Sequence, residues 1–190
     1  MILKGNNWLG VLGGGQLGRM LSLDARRMGF NVLAWTGGDR SGAAATADQI
    51  IDAPFDDPNA LDEFTKKVQV ATVEFENLPQ TTLEKVEDRV KLFPSPQAVT
   101  ICQHREREKN FLSEHGFACA KFRVAHDLIT FKHAIHELHC DVIVKTAEFG
   151  YDGKGQVRLN KSLSEQEITQ AWEAFDGGRV VIEECISLQA

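Results

Sequence analysis

A chain of 190 residues, 43% hydrophobic and 25% charged, has room for one domain or two small ones, and its ordinary globular composition excludes disordered, collagen-like and coiled-coil chains. Its 21 Lys and Arg against 27 Asp and Glu leave a formal charge of −6 with no basic stripe, which speaks against a protein that grips nucleic acid through its phosphates. The 4 cysteines (Cys102, Cys119, Cys140 and Cys185) form no C-x-x-C pair, the N-terminus does not read as a secretory leader, and no stretch approaches the roughly 20 apolar residues of a membrane span, so a reducing cytoplasm away from membranes is the expected setting.

The first half alternates strand and helix patterns. Residues 8–12 form a short apolar run ending in glycines, a buried strand. Residues 16–28 carry a helical period with Leu17, Met20, Leu21, Ala25 and Met28 on one face, predicted to point at the core, and Gly29 stops the helix. Strands are predicted at 31–35, 49–52, 70–76 and 90–93. Helices are predicted at 57–67, where Pro58 marks the start, and at 78–86. This βαβ rhythm implies an α/β domain with a parallel, doubly wound, Rossmann-like sheet. Pro94 and Pro96 punctuate the chain, and a domain boundary is predicted near residue 95, dividing 1–95 from 96–190.

A single helix over 97–115 is predicted next. Strands at 121–125, 141–145, 156–159 and 179–184 then interleave with helices at 127–138 and 163–175, an α+β pattern. In the 127–138 helix Phe131, Ala134, Ile135 and Leu138 make the core face. His133 and His136 lie off it, so the run of His133, His136, His139 and Cys140 reads as surface histidine rather than a metal site.

Five stretches carry chemistry. Gly13, Gly15 and Gly18 form G-x-G-x-x-G between a strand and a helix, where free N–H groups can meet a phosphate. A nicotinamide or flavin dinucleotide also wants an acidic residue at the end of the second strand; that strand ends Ala34-Trp35-Thr36-Gly37, and Asp39 arrives late, inside a loop. A phosphorylated small molecule therefore fits better than a nicotinamide-dependent oxidoreductase, with a purely structural turn as the other reading. Glu74 and Glu76, two apart on a strand, are predicted to share a face at the crevice where such sheets bind ligands; they serve a substrate, or accept hydrogen bonds from nearby helix N-termini. Arg105 falls on the stripe of Ala98, Ile101 and Cys102 in the 97–115 helix, with Lys109 four residues on. Its partner is a protein carboxylate or a phosphate.

Lys145 ends a β-branched strand, and Gly150, Tyr151, Asp152, Gly153, Lys154, Gly155 and Gln156 follow. Such a loop offers an anion nest flanked by two lysines, or is a plain flexible hairpin; it is not a Walker loop, because it lacks G-K-[ST] and no helix follows. Finally, the strand ending in Glu183, Glu184, Cys185 and Ile186 offers a backbone edge to an adenine, or is a half-buried edge strand.

GGGQLGRM from Gly13, TVEFENLP from Thr72, the segment 94–122, Lys145 and GYDGKGQ from Gly150 together resemble the ATP-grasp family, and within it the 5-(carboxyamino)imidazole ribonucleotide synthases of purine biosynthesis. The resemblance runs from Trp8 to nearly the end of the chain. It implies a Rossmann-like domain followed by the first part of an ATP-grasp domain. It implies a carbon–nitrogen ligase that uses ATP, Mg²⁺ and bicarbonate to carboxylate the amine of 5-aminoimidazole ribonucleotide by way of carboxyphosphate, in a homodimer. By the same resemblance Arg105, Lys145, Gly150 to Gln156 and Glu183 to Ile186 are nucleotide contacts, and Gln16, Leu17, Glu74 and Glu76 ribonucleotide contacts. The glycine loop is then a lid, expected to be mobile over 149–154 without nucleotide.

Where the family often has Asp this chain has His104. The family's metal ligands lie past the adenine segment, so no metal ligand is expected in this chain, and the chain alone is expected to be inactive. Related ATP-grasp ligases, such as the formate-dependent glycinamide ribonucleotide transformylase, and a non-catalytic nucleotide-binding fragment are the alternatives.

Overall fold

The computed structural model describes residues 7–148 and 155–187. The chain divides into two compact units, Met1–Thr100 and Ile101–Ala190. Among the described residues no helix is long and apolar enough to cross a membrane.

The first unit holds a parallel sheet of β1 (Trp8–Leu12), β2 (Asn31–Trp35), β3 (Gln49–Ile51), β4 (Val70–Val73) and β5 (Lys91–Phe93), in the order β3-β2-β1-β4-β5. Its helices are α1 (Gln16–Arg27), α2 (Pro58–Lys67), α3 (Gln80–Glu87) and α4 (Pro96–Cys102). The strands are apolar on both faces because helices cover both. Trp35, Phe64, Leu83, Leu92 and Val99 belong to one core, and Val11, Ala25 and Val32 to another. The indole of Trp35 is fully buried between Phe55 and Phe64, and its Nε1–H donates to the Ala53 carbonyl at 2.8 Å, so its one polar group is satisfied. Asp57 caps α2 by accepting from the Asn59 and Ala60 amides, with Pro58 in the first turn as its sequence predicts.

The predicted core face of α1 is not the observed one. Ala25 is buried, but Leu17, Met20, Leu21 and Met28 are exposed, and Gly18 and Ser22 take the inner positions. Proximity explains this. A Cβ on Gly18 would stand 3.2 Å from Ala43 and 3.3 Å from Glu74, and the Ser22 hydroxyl donates to the Gly18 carbonyl at 2.7 Å. The helix lies so close to its neighbours that only small residues fit beneath it, and a reading based on large apolar residues selects the wrong side.

The second unit is built on an antiparallel sheet of β6 (Phe122–Ala125), β7 (Val142–Thr146), β8 (Gln156–Leu159) and β9 (Val180–Glu184), in the order β6-β9-β7-β8. With it come α5 (Arg105–Glu114), α6 (Leu128–Leu138) and α7 (Glu165–Glu173). Phe131, Ala134 and Ile135 of α6 pack with Val142, Val144, Val180, Ile182 and Trp172, which is the predicted core face. His133 and His136 are exposed beside Glu137 and Glu165. Among the described residues no group of three or more His, Cys, Asp or Glu side chains is placed to hold a metal ion.

The predicted helix 97–115 is two helices. His104 is extended (φ −136°, ψ 113°) and starts α5, while Val99 of α4 belongs to the first unit's core. The Arg105 amide donates to the Ala147 carbonyl, just past β7, at 2.9 Å. The chain breaks where it passes from one core to the other, so the stripe through Ala98, Ile101 and Cys102 does not continue to Arg105.

Candidate functional site

In the first unit the glycine-rich turn leaves β1 and enters α1. Gly15 is the N-cap and has no side chain to accept from the first-turn amides. Glu74, one residue past β4, supplies that acceptor. Its Oε2 receives the Gly15 amide at 3.1 Å and its Oε1 the Leu17 amide at 3.2 Å, a negative charge on the positive end of the helix. Glu74 thus accepts from a helix N-terminus, as one of its two readings expects. The turn admits it because Gly13 and Gly15 lack Cβ atoms, which would lie 2.6 and 2.7 Å from Glu74.

Gly14 serves a second approach. Its Cβ would stand 1.8 Å from the Asp39 carbonyl oxygen, and the Gly42 and Ala43 amides donate to the Gly14 carbonyl at 2.9 and 2.8 Å. The glycines thus admit protein backbone and a protein carboxylate at the very turn a dinucleotide would need. β4 ends at Val73, so Glu74 and Glu76 do not alternate along a strand as predicted. Glu74 is half-buried on α1, whereas Glu76, Gln16 and Leu17 are exposed.

In the second unit the chemistry gathers around Glu183. Its side chain is 9% exposed, and its Oε2 is 3.0 Å from Lys109 Nζ on α5 and 3.1 Å from Lys145 Nζ on β7. Its Oε1 is buried and has no hydrogen-bond partner among the described residues. Register explains the meeting. Glu183 pairs with Ile143 on β7 and Phe122 on β6, and Lys145, two residues beyond Ile143, shares that face. Burial pushes the Glu183 carboxyl up, but the two ammonium groups outweigh it and hold it below its ordinary value.

β9 lies between β6 and β7, so the alternative of a half-buried edge strand does not hold. The backbone beyond Glu183 is also tied down. Glu184 N–H donates to the Lys121 carbonyl and Cys185 N–H to the Asp141 carbonyl, while Glu184 Oε1 accepts from the Lys121 amide. Ile186 is exposed.

Arg105 is half-buried in the first turn of α5, beside a concavity lined by His104, Thr146, Ala147, Glu148, Gly178 and Arg179. Glu106 pairs with Arg179 at 2.9 Å. Gly155 closes the β7–β8 hairpin with a positive φ of 69°, its carbonyl accepting from the Thr146 amide, and Gln156 pairs with Lys145. Gly150, Tyr151, Asp152, Gly153 and Lys154, and with them the expected mobility of the lid, lie outside the described residues. The sequence named Lys109 only as following Arg105, and Glu183 only as part of a backbone segment. A signal was available: Val181 and Glu183 alternate on one face of a strongly apolar strand, and a carboxylate there needs a cation.

Residues 7–103 match the ribonucleotide synthetase preATP-grasp domain family, and residues 110–190 the ATP-grasp domain family. An N5-carboxyaminoimidazole ribonucleotide synthase of Brucella melitensis is 39% identical over 95% of this chain and 50% of its own length. The crystal structure of N5-carboxyaminoimidazole synthetase from Staphylococcus aureus complexed with ADP matches 98% of this chain and 49% of its own, at TM-score 0.88 and 30% identity. The Aspergillus clavatus N5-carboxyaminoimidazole synthase in complex with ADP and 5-aminoimidazole ribonucleotide matches 97% of this chain and 48% of its own, at TM-score 0.78 and 27% identity. This chain therefore spans about half the length of these relatives. With the preATP-grasp model matching its first half and the ATP-grasp model its second, the chain belongs to the ATP-grasp ribonucleotide synthetase family.

Proposed function

We propose that this chain carries the nucleotide-binding and ribonucleotide-binding residues of a cytoplasmic, homodimeric carbon–nitrogen ligase that carboxylates 5-aminoimidazole ribonucleotide with ATP and bicarbonate. The observation that carries the reading is Glu183: a buried carboxylate with one bare oxygen, bracketed by Lys109 and Lys145, near the end of a central strand. Lys145 swings from Glu183 to the nucleotide phosphates. Arg105 and the loop of Gly150 to Gln156 surround them, and the segment Glu183 to Ile186 takes the adenine edge. Gln16, Leu17, Glu74 and Glu76 meet the ribonucleotide.

In the reaction a bicarbonate oxygen attacks the γ-phosphorus, and the bond to the β-phosphate oxygen breaks, giving ADP and carboxyphosphate. The amine then takes the carboxyl carbon, and phosphate leaves. Cations that neutralise the transferring phosphoryl group, and exclusion of water from the labile mixed anhydride, are what such a site supplies. Mg²⁺ is expected with the ATP, but no group of three or more His, Cys, Asp or Glu among the described residues fits it.

ADP titrated into the protein by calorimetry tests the nucleotide reading: binding is expected, and Lys145→Ala should weaken it at least tenfold. Absence of ADP binding overturns the reading. In the complete protein, ATP hydrolysis stimulated by glycinamide ribonucleotide and not by 5-aminoimidazole ribonucleotide would assign the sister ligase activity instead.

A further inference from the structure

The Glu183 cluster holds one more cation than it needs. One carboxylate oxygen, Oε2, receives both Lys109 Nζ at 3.0 Å and Lys145 Nζ at 3.1 Å. A single ammonium group neutralises a single buried carboxylate, so one lysine can leave only if the other stays. We propose that Lys109 is a positioning residue of the nucleotide site: it remains on Glu183 and keeps that carboxylate charged and in place while Lys145 moves to the nucleotide. The inference rests on the nucleotide reading given above.

The division of roles follows from where the two lysines stand. Lys145 is the second-last residue of β7, paired with Gln156 at the start of β8 and next to Thr146, whose amide donates to the Gly155 carbonyl. Lys109 lies inside α5, with its side chain 15% exposed against 21% for Lys145. Among the described residues no other charged group meets Glu183. The residues paired with it across the sheet are Phe122 on β6 and Ile143 on β7, and Glu106 of α5 is engaged by Arg179. With Lys109 absent, recruitment of Lys145 by a nucleotide leaves the carboxylate buried and uncompensated, and it takes up a proton instead.

The sign follows directly. Without Lys109 the carboxyl has a higher pKa in the complex than in the free protein, so a proton favours the complex and affinity rises as pH falls. The test is ADP titration of the wild type, Lys109→Met and Lys109→Arg in buffers of different ionisation enthalpy, repeated between pH 8 and 6. Lys109→Met is expected to take up as much as one proton more per ADP than the wild type, and its affinity deficit to shrink by up to tenfold per unit of falling pH. Lys109→Arg is expected to behave as the wild type. Adding Glu183→Gln to Lys109→Met should abolish the extra uptake.

A purely structural role for Lys109 lowers affinity equally at every pH, so equal proton uptake in wild type and Lys109→Met overturns the proposal. Extra uptake that survives Glu183→Gln overturns it too, because the proton then sits elsewhere. Should Lys109→Met fail to fold, recovery of folding in the double variant supports the proposal, and a double variant that also fails to fold overturns it. A wild type that binds no ADP overturns the nucleotide reading itself, whereas a wild type that binds ADP with unaltered linkage in the variant sinks only the role of Lys109.

Discussion

Glu183 ties the stability of the second unit to pH. Its carboxyl is held below the ordinary 4.5 because the two lysines outweigh the cost of burial. A carboxylate lowered in the folded state contributes stability that is fully present above its unfolded value and is lost as pH falls through the folded one. Glu183→Gln removes that contribution and leaves two ammonium groups facing a neutral amide. The variant should therefore be clearly less stable than the wild type in urea near neutral pH, with the gap closing as the pH falls below about 4.5 and the wild type loses its own ion pairs. A gap of constant size from neutral to acid pH would mean that the cost is one of packing and not of charge. The residue was visible in the sequence, but its role was not: Lys109 lies 74 positions away, and nothing local to either residue announces the other.

At the scale of elements, the clearest case is the turn from β1 into α1. Gly14→Ala is expected to destabilise the first unit by about 3 kcal/mol, the upper end of what overpacking costs. The new Cβ would meet the Asp39 carbonyl oxygen at 1.8 Å, and the backbone cannot yield, because Gly14's own carbonyl is held by the Gly42 and Ala43 amides. Gly116→Ala makes a matched control: it adds strain at a φ of 76° but meets no atom within 4 Å, and should cost only about 1–2 kcal/mol. Urea denaturation ranks the two, and equal costs would mean that the 39–43 loop does not press on the turn.

This turn also marks how far pattern reaches. The G-x-G-x-x-G spacing told that something approaches closely; Glu74, 59 positions from Gly15, is what does. The strand and helix alternation was legible because burial on both faces of a parallel sheet writes continuous apolar runs. The inner face of α1 was not, because close approach selects Gly18, Ser22 and Ala25 and leaves the large apolar residues outside. The break at His104 was equally hidden, since helix propensity runs through it and only the transfer of the chain between two cores decides it.

For the whole molecule, two compact units, each with its own buried core, and the cations proposed for the nucleotide occur in a chain about half as long as the relatives it matches. Binding and turnover make different demands. Holding ADP requires positive groups near the phosphates, and Lys145 and Arg105, the cations proposed for that role, lie in the second unit, as does Lys109 on Glu183. Phosphoryl transfer also requires charge neutralisation on the oxygens between the β- and γ-phosphorus as the bond breaks, which such enzymes assign largely to metal ions. Among the described residues no cluster of carboxylates, histidines or cysteines meets that need. The 190-residue chain is therefore expected to bind ADP in a calorimeter yet to release no phosphate above background when given ATP, Mg²⁺, bicarbonate and 5-aminoimidazole ribonucleotide. Phosphate release that depends on the ribonucleotide, from this chain by itself, would show that the cations around Glu183 suffice for the chemistry and that binding and turnover are not separate in this chain.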